Sequence, residues 1–454
     1  MATIDTTLPR IQAKKHDYLK GAFTWLLVFC VVYFARPEEF IPIGTFPIAK
    51  LTGGLAIASF GLVVMAHPDL LKFSWEMRYL IALASWFLIS FPFSPLWKGG
   101  AFQHALDFAK VVPIALLIGL VAISVPRLKR LIFVETASTV LCVIITLFAA
   151  HFQASEDHRL TGSLNGIYGN PNDLALCIVL VFPFCAMFML MTMNIIKKML
   201  WTGAMVMLGF ALLLTYSRAG VVALLVSGCV MLWEFGLKGR RHGLVILFAF
   251  VSLCMAVVAG PKGYFKRVAS VIDPSLDPGE AAGSWRTRKE LLILSIKTTL
   301  THPIFGVGCG DFQIIADWHV AHNSYTETSA EGGFPALILY LLIIRRTLIN
   351  LREIERTSRG HPDLVLLGGT LKVSFAAFLV GSFFDSVAYN FFPYFLIAYT
   401  GALLQIAKAR QGSVLETGAI KQKSRADGST MKGEARKQPV LSQTITGYRP
   451  LNGR

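Results

Sequence analysis

Long blocks of apolar residues, separated by short polar runs, organise most of this chain. GAFTWLLVFCVVYFA (21–35), LIFVETASTVLCVIITLFAA (131–150) and HGLVILFAFVSLCMAVVAG (242–260) approach or reach the ~20 residues a helix needs to cross a bilayer. The pattern predicts helices near 20–35, 46–66, 78–93, 104–125, 131–151, 172–196, 199–215, 219–236, 242–260, 326–344, 364–387 and 391–408. One such block alone also describes a buried core helix, but a dozen in one chain do not. The expected fold is all-α: a polytopic integral membrane protein with about twelve transmembrane helices.

Charge provides a second reading of the same pattern. Short cytoplasmic loops are enriched in Lys and Arg. With the N-terminus inside, alternate connections carry Lys72/Arg78, Arg127/Lys129/Arg130, Lys197/Lys198, Lys238/Arg240/Arg241 and Arg345/Arg346/Arg352/Arg356/Arg359. Together with the two ends they hold most of the 43 basic residues. The expected topology therefore has twelve spans and both termini cytoplasmic. Residues 1–19 form an inner N-terminus, 20–408 the membrane domain and 409–454 a disordered basic tail, poor in apolar residues. The first helix follows basic residues without a small-residue cleavage site and reads as a retained anchor.

Composition agrees: 54% of residues are apolar and 15% charged, where soluble domains carry roughly 25% charged. The net charge of +16 then reflects the inner face and a tail near anionic lipid, not nucleic acid. Of the seven cysteines, all but Cys309 fall in predicted helices, and no CxxC site or disulfide framework appears.

Two outer connections are long, 152–171 and 261–325. The second opens with Pro261, Pro274, Pro278 and Gly279. A stretch from about 285 to 300 follows, with Leu291, Leu292, Leu294, Ile296 and Leu300 at roughly helical spacing. It reads either as an amphipathic helix on the membrane surface or as a helix packed on the bundle. In THPIFGVGCGDFQ (301–313), Pro303, Gly306, Gly308 and Gly310 mark a turn-rich segment. Backbone N–H groups there could cradle a phosphate, although neither a P-loop nor a GxGxxG fingerprint is present.

Where this loop re-enters the membrane stands His322, followed by Asn323, Ser324, Tyr325, Thr326 and Glu327. An imidazole there can take a proton from a hydroxyl, whereas most lone membrane histidines are structural hydrogen-bonders. Arg218 interrupts LLLTYSRAGVVALL at its outer end; it is a ligand-binding cation or a snorkelling end group. Arg288, with Arg286 beside it, adds guanidinium forks suited to phosphate oxygens. Together these residues suggest an anionic-substrate site with a proton acceptor. Asp107 and Lys110 read as a pair, Asn172 and Asp173 as a helix cap, and Asp385, Tyr389 and Asn390 as outer-end residues near the same cavity. No HExxH, DxD-like pair of adjacent carboxylates or His cluster appears on the outer side, so a metal site is not expected.

The series GNPNDLA (169–175), TYSRAG (215–220), Arg288 with Pro303 and GVG (306–308), and HNSYTETSAEGGFPA (322–336) resembles the O-antigen ligase/O-antigen polymerase superfamily, bacterial lipid-linked glycan transferases of the inner membrane. The motifs cover about 160–340, and ARPEEFIP (35–42) resembles an N-terminal pattern of many members. This chain departs from the family pattern at Ala336, where a glycine, threonine or tyrosine is usual, and at Leu292, often a tryptophan. The resemblance implies transfer of a glycan from undecaprenyl diphosphate to an acceptor hydroxyl on the periplasmic side, without metal or other cofactor. It implies His322 as the base and Arg218 and Arg288 on the diphosphate, with Arg286, Asn323 and Tyr325 as further substrate-binding residues. The acceptor is lipid A-core for a ligase, as in lipopolysaccharide assembly, or the growing glycan for a polymerase. From another class, a small-solute transporter would place ionisable groups near the midplane, for which Lys372 is the main candidate.

The topology predicts that, in a Cys309→Ser background, Ser275→Cys is labelled in spheroplasts by a membrane-impermeant maleimide. Ser424→Cys, in the tail, should react only after permeabilisation.

Overall fold

A computed structural model of the chain describes residues 18–39, 47–149, 159–160, 168–239 and 280–412. The expected helix at 242–260, the start of the long outer connection and the tail from 413 lie outside the described residues, as does Cys254. The main unit, ending at residue 407, contains α1 (Lys20–Ala35), α2 (Ile48–Ala66), α3 (Trp75–Ser90), α4 (Lys98–Ala109), α5 (Val111–Val121), α6 (Val125–Ala149) and α7 (Pro171–Met191). After these come α8 (Ile195–Leu214), α9 (Arg218–Met231), α10 (Glu280–Thr301), α11 (Phe312–Ile315), α12 (Ser324–Thr357), α13 (Pro362–Phe384) and α14, which starts at 391. Among the described residues there is no strand, and eight helical stretches are long and apolar enough to cross a membrane, with Lys98–Val121 and Arg218–Leu237 each taken as one. Residues 408–412, the described part of the second unit, are helical.

The central helix is α7. Leu174 to Met187 is buried without interruption, as expected of a helix apolar on every side. It packs against α6, α8, α9 and α13. Close approach is built into the sequence: a Cβ on Gly220 of α9 would stand 2.8 Å from Ala175 Cβ, and one on Gly381 of α13 would stand 2.4 Å from Leu176 Cδ1. Small residues let membrane helices touch in this way, where no hydrophobic drive separates helix from lipid. Pro183 removes one N–H from α7, and beside that gap Ser374 Oγ donates to Leu180 O at 2.7 Å. At the periphery, α2 and α8 leave Leu62, Met65, Met199 and Leu200 exposed, the surface a lipid-facing helix presents.

Helix boundaries differ from the sequence expectation in two places. The span near 104–125 is two helices broken at Lys110. Pro113 lacks the N–H that would reach Ala109 O, and its ring crowds that carbonyl. The helix expected to end near 344 continues to Thr357, because the basic residues mark a change of surroundings and are themselves good helix formers. Lys372 is no isolated midplane charge: its Nζ lies 2.5 Å from Glu234 Oε1 and 3.4 Å from Glu355 Oε2, and Lys238 joins the same cluster.

The feature that places the functional end of the bundle is a break inside α12. Gly333 has φ 71° and ψ −173°, backbone that in effect only glycine adopts, and Pro335 follows. The carbonyls freed there need donors, since the bilayer core supplies no water. Val307 N–H donates to Ala330 O at 2.9 Å, Gly308 N–H to Glu331 O at 3.0 Å, and Trp86 Nε1 to Gly332 O at 2.7 Å. In return Phe334 N–H donates to Pro303 O at 2.8 Å. The glycine-rich segment is thus strapped across the break.

A Cβ on Gly333 would meet Ile304 O at 2.1 Å in addition to the backbone strain. Gly333→Ala should cost about 1–3 kcal/mol for the left-handed backbone alone. Scanning fluorimetry of the purified protein should show a melting temperature several degrees lower.

Candidate functional site

Three helix N-termini carry the outer-end residues, each with a side-chain cap. Asn170 caps α7 by accepting from Asn172 N–H at 2.8 Å, so the cap is neither Asn172 nor Asp173 as the sequence suggested. Asn172 is instead a hub: its Oδ1 accepts from Arg159 Nη2 at 3.0 Å and Ser217 Oγ at 2.9 Å. Arg159 Nε also donates to Thr215 O at 3.0 Å. Ser217 caps α9, on which Arg218 is the first residue. Arg159 escaped the sequence reading because its partners are distant in sequence and no local pattern marks it.

Asn323 caps α12, its Oδ1 accepting from Tyr325 and Thr326 N–H while its Nδ2 donates to Phe383 O at 3.1 Å. Ser324 Oγ donates to Asp385 O at 2.7 Å and accepts from Val387 N–H at 2.9 Å. Tyr325 OH donates to Leu379 O at 3.1 Å. These bonds fasten the start of α12 to the end of α13 and set His322 against Asp385, with Nδ1 3.9 Å from Oδ1. His322 itself has φ 52°, and its N–H donates to Ser386 Oγ at 3.0 Å. Tyr216, two residues before Arg218, also adopts a left-handed conformation, with φ 49°. Each such non-glycine residue costs on the order of 1–3 kcal/mol and persists only where its surroundings hold it.

Asp385 is the meeting point of the charges. Besides His322, its charge is felt by Arg288 of α10 and by Asp173 at the start of α7. Burial lowers the pKa of Arg288, Asp385 raises it, and the charge of nearby Arg218 lowers it again. Two guanidinium groups within electrostatic reach of each other, one of them at the N-terminus of α9, supply the chemistry that a polyanion would need. Asp385 Oδ2 and His322 Nδ1 are buried without a hydrogen-bond partner.

Arg288 and His322 are therefore brought together at Asp385, with Arg218 near enough to Arg288 for its charge to be felt there, whereas Arg286 is exposed on α10. The polar atoms of Asn323 and Tyr325 are occupied by the protein itself, in capping and in tying α12 to α13. The 306–310 glycines do not form a phosphate cradle: the N–H groups of Val307 and Gly308 are spent on α12. Asp107 pairs with Lys110, both side chains about half exposed. Buried Cys309 is no nucleophile, since burial first, and then Glu331, Glu327 and Asp311, push its thiol pKa well up. Helix α10 packs on the bundle and leaves an apolar edge uncovered. Thr299 Oγ1 meets Ser329 Oγ of α12 at 2.8 Å, while Ile293, Ile296 and Leu300 stay exposed.

Asn172→Ala should lower stability by about 1–3 kcal/mol, because Arg159 and Ser217 lose their shared acceptor. Asn172→Asp, which keeps an acceptor beside the arginine, should retain most of it; thermal unfolding of the purified variants measures both.

Residues 203–341 match the model of the O-antigen ligase family (Wzy_C). The matched segment includes Arg218, Arg288 and His322, and it supports the O-antigen ligase/polymerase superfamily and a ligase- or polymerase-like activity at a membrane. No curated protein matches the chain.

Proposed function

We propose that this chain is a glycosyltransferase of the bacterial inner membrane that moves a glycan from undecaprenyl diphosphate to an acceptor hydroxyl on the periplasmic side. Its twelve spans leave both termini in the cytoplasm, and the 261–325 connection faces the periplasm. The meeting of His322 and Arg288 at Asp385, with Arg218 beside Arg288 and all three cationic or basic residues inside the matched segment, is the observation that carries this reading.

The chemistry follows from the charges. The bond between the anomeric carbon and the diphosphate oxygen breaks, and the electron pair leaves on the diphosphate. Arg218 and Arg288 stabilise that developing charge in a partly dehydrated site, so no metal is required by the step. A new bond forms from the acceptor oxygen to the same carbon, and His322 takes the acceptor proton. Asp385 orients the imidazole and stabilises it once charged. The lipid lies along the apolar helices with its phosphates at the outer surface. Ligase and polymerase share every step and differ only in the acceptor, lipid A-core or growing glycan.

His322→Ala should reduce transfer by at least about 10²-fold, within the range for loss of a general base. Arg218→Ala should lose roughly 10²–10³-fold, as when an oxyanion donor is removed. Both variants should still reach the membrane. The assay supplies purified protein with a lipid-diphosphate oligosaccharide and either lipid A-core or donor glycan as acceptor. Undiminished transfer by His322→Ala would refute the mechanism, and the preferred acceptor decides between ligase and polymerase.

A further inference from the structure

Beside this centre lies a cavity of about 230 Å³, bounded by α4, the 309–313 turn, the first half of α12 and residues 389–391. Its most unusual lining is Glu327 and Glu331, successive turns of α12, only 3% and 1% exposed. One oxygen of each carboxylate is occupied by the protein. Glu327 hydrogen-bonds to the Ser386 side chain and the Ala321 backbone, and Glu331 to the backbone N–H groups of Gly310 and Phe312, with the Tyr389 hydroxyl also close by. The second oxygen of each, Oε2, is buried with no partner.

Buried acceptors left without donors are costly, and a carboxylate more so than a neutral group. They call for a ligand rich in hydroxyl or ammonium donors. Tyr33 and Tyr389 add aromatic surface, which suits the apolar face of a sugar ring, and Asn390 adds a neutral amide. A cation is the poorer fit: among the described residues no three His, Cys, Asp or Glu side chains are placed to hold a metal. The volume lies below the ~300 Å³ at which ligand pockets usually begin, which leaves room for one ring.

We propose that this cavity is the acceptor subsite and takes a single neutral or amino-bearing sugar ring, with Glu327 and Glu331 accepting its hydroxyl or ammonium hydrogens. This rests on the glycosyl-transfer reading above. Ser386 joins the two parts of the site, because its Oγ accepts from His322 N–H and bonds to Glu327. An acceptor seated on Glu327 is therefore held in register with the base. Cationic and acidic halves would sort the substrates, diphosphate to the arginines and acceptor sugar to the glutamates.

Calorimetry on the purified full chain with methyl glucoside, methyl glucosaminide and methyl glucuronide tests the subsite without requiring activity. The neutral or the amino glycoside should bind and the glucuronide should not. Glu331→Gln should weaken binding by about tenfold or more, through loss of an acceptor oxygen. Gln313→Trp, which narrows the cavity and leaves both carboxylates in place, should weaken it too, whereas His322→Ala should bind as the unaltered chain does. In the transfer assay Glu331→Gln should raise the acceptor KM and leave the donor KM unchanged. No glycoside binding, equal binding of the glucuronide, or unaltered binding by both cavity variants would overturn the subsite. Binding in the expected pattern without any transfer would instead remove the enzymatic reading and leave the subsite standing.

Discussion

A bilayer core offers backbone groups no water, so any interruption of a helix there must be repaired by protein. The break in α12 at Gly333 and Pro335 frees carbonyls at 330–332, and Val307, Gly308 and Trp86 supply the donors. Everything at the outer end depends on that repair. The strap holds the first turns of α12 at their angle, so that Asn323 and Ser324 reach the end of α13 and His322 meets Asp385. The same turns present Glu327 and Glu331 to the cavity. Glycine at 306, 308 and 310 allows the strap to pass: a Cβ at 306 would stand 2.3 Å from the Glu331 carbonyl carbon, and one at 310 would strike His104.

Around this scaffold the charges separate by sign. Arg218, at the N-terminus of α9 where the backbone dipole adds positive potential, and Arg288 form a cationic side. Glu327 and Glu331 form an acidic side one short step away, and His322 with Asp385 stands between. An arrangement of this kind discriminates by repulsion as much as by attraction, since a misplaced phosphate would face carboxylates.

The sequence revealed the helices far better than their internal geometry. Apolar blocks report immersion, and loop charge reports orientation, because each follows from the solvent surrounding the residue. Arg218 stood out for the same reason, as a cation inside an apolar run. Neither signal reports where a helix bends. Gly333 and Pro335 were visible, but nothing local said that 303–308 would repair the break, and the glycines were therefore read as a ligand loop. Asn323 and Tyr325 looked like ligand groups because their partners, Phe383 O and Leu379 O, lie on another helix. Glu327 and Glu331 carried a usable sign, two carboxylates one turn apart at the head of a membrane helix; taken one at a time, they pass for ordinary N-terminal acids.

Tyr216 and His322 both bear left-handed backbone that glycine would adopt freely. The chain thus holds part of its folding free energy in reserve at the two turns leading to Arg218 and His322. Glycine at either turn would relax that tension and firm the fold, yet at 322 it would delete the imidazole. Robustness and chemistry therefore pull in opposite directions at this spot. A search for hardier versions of the protein would drift toward glycine there and lose the site.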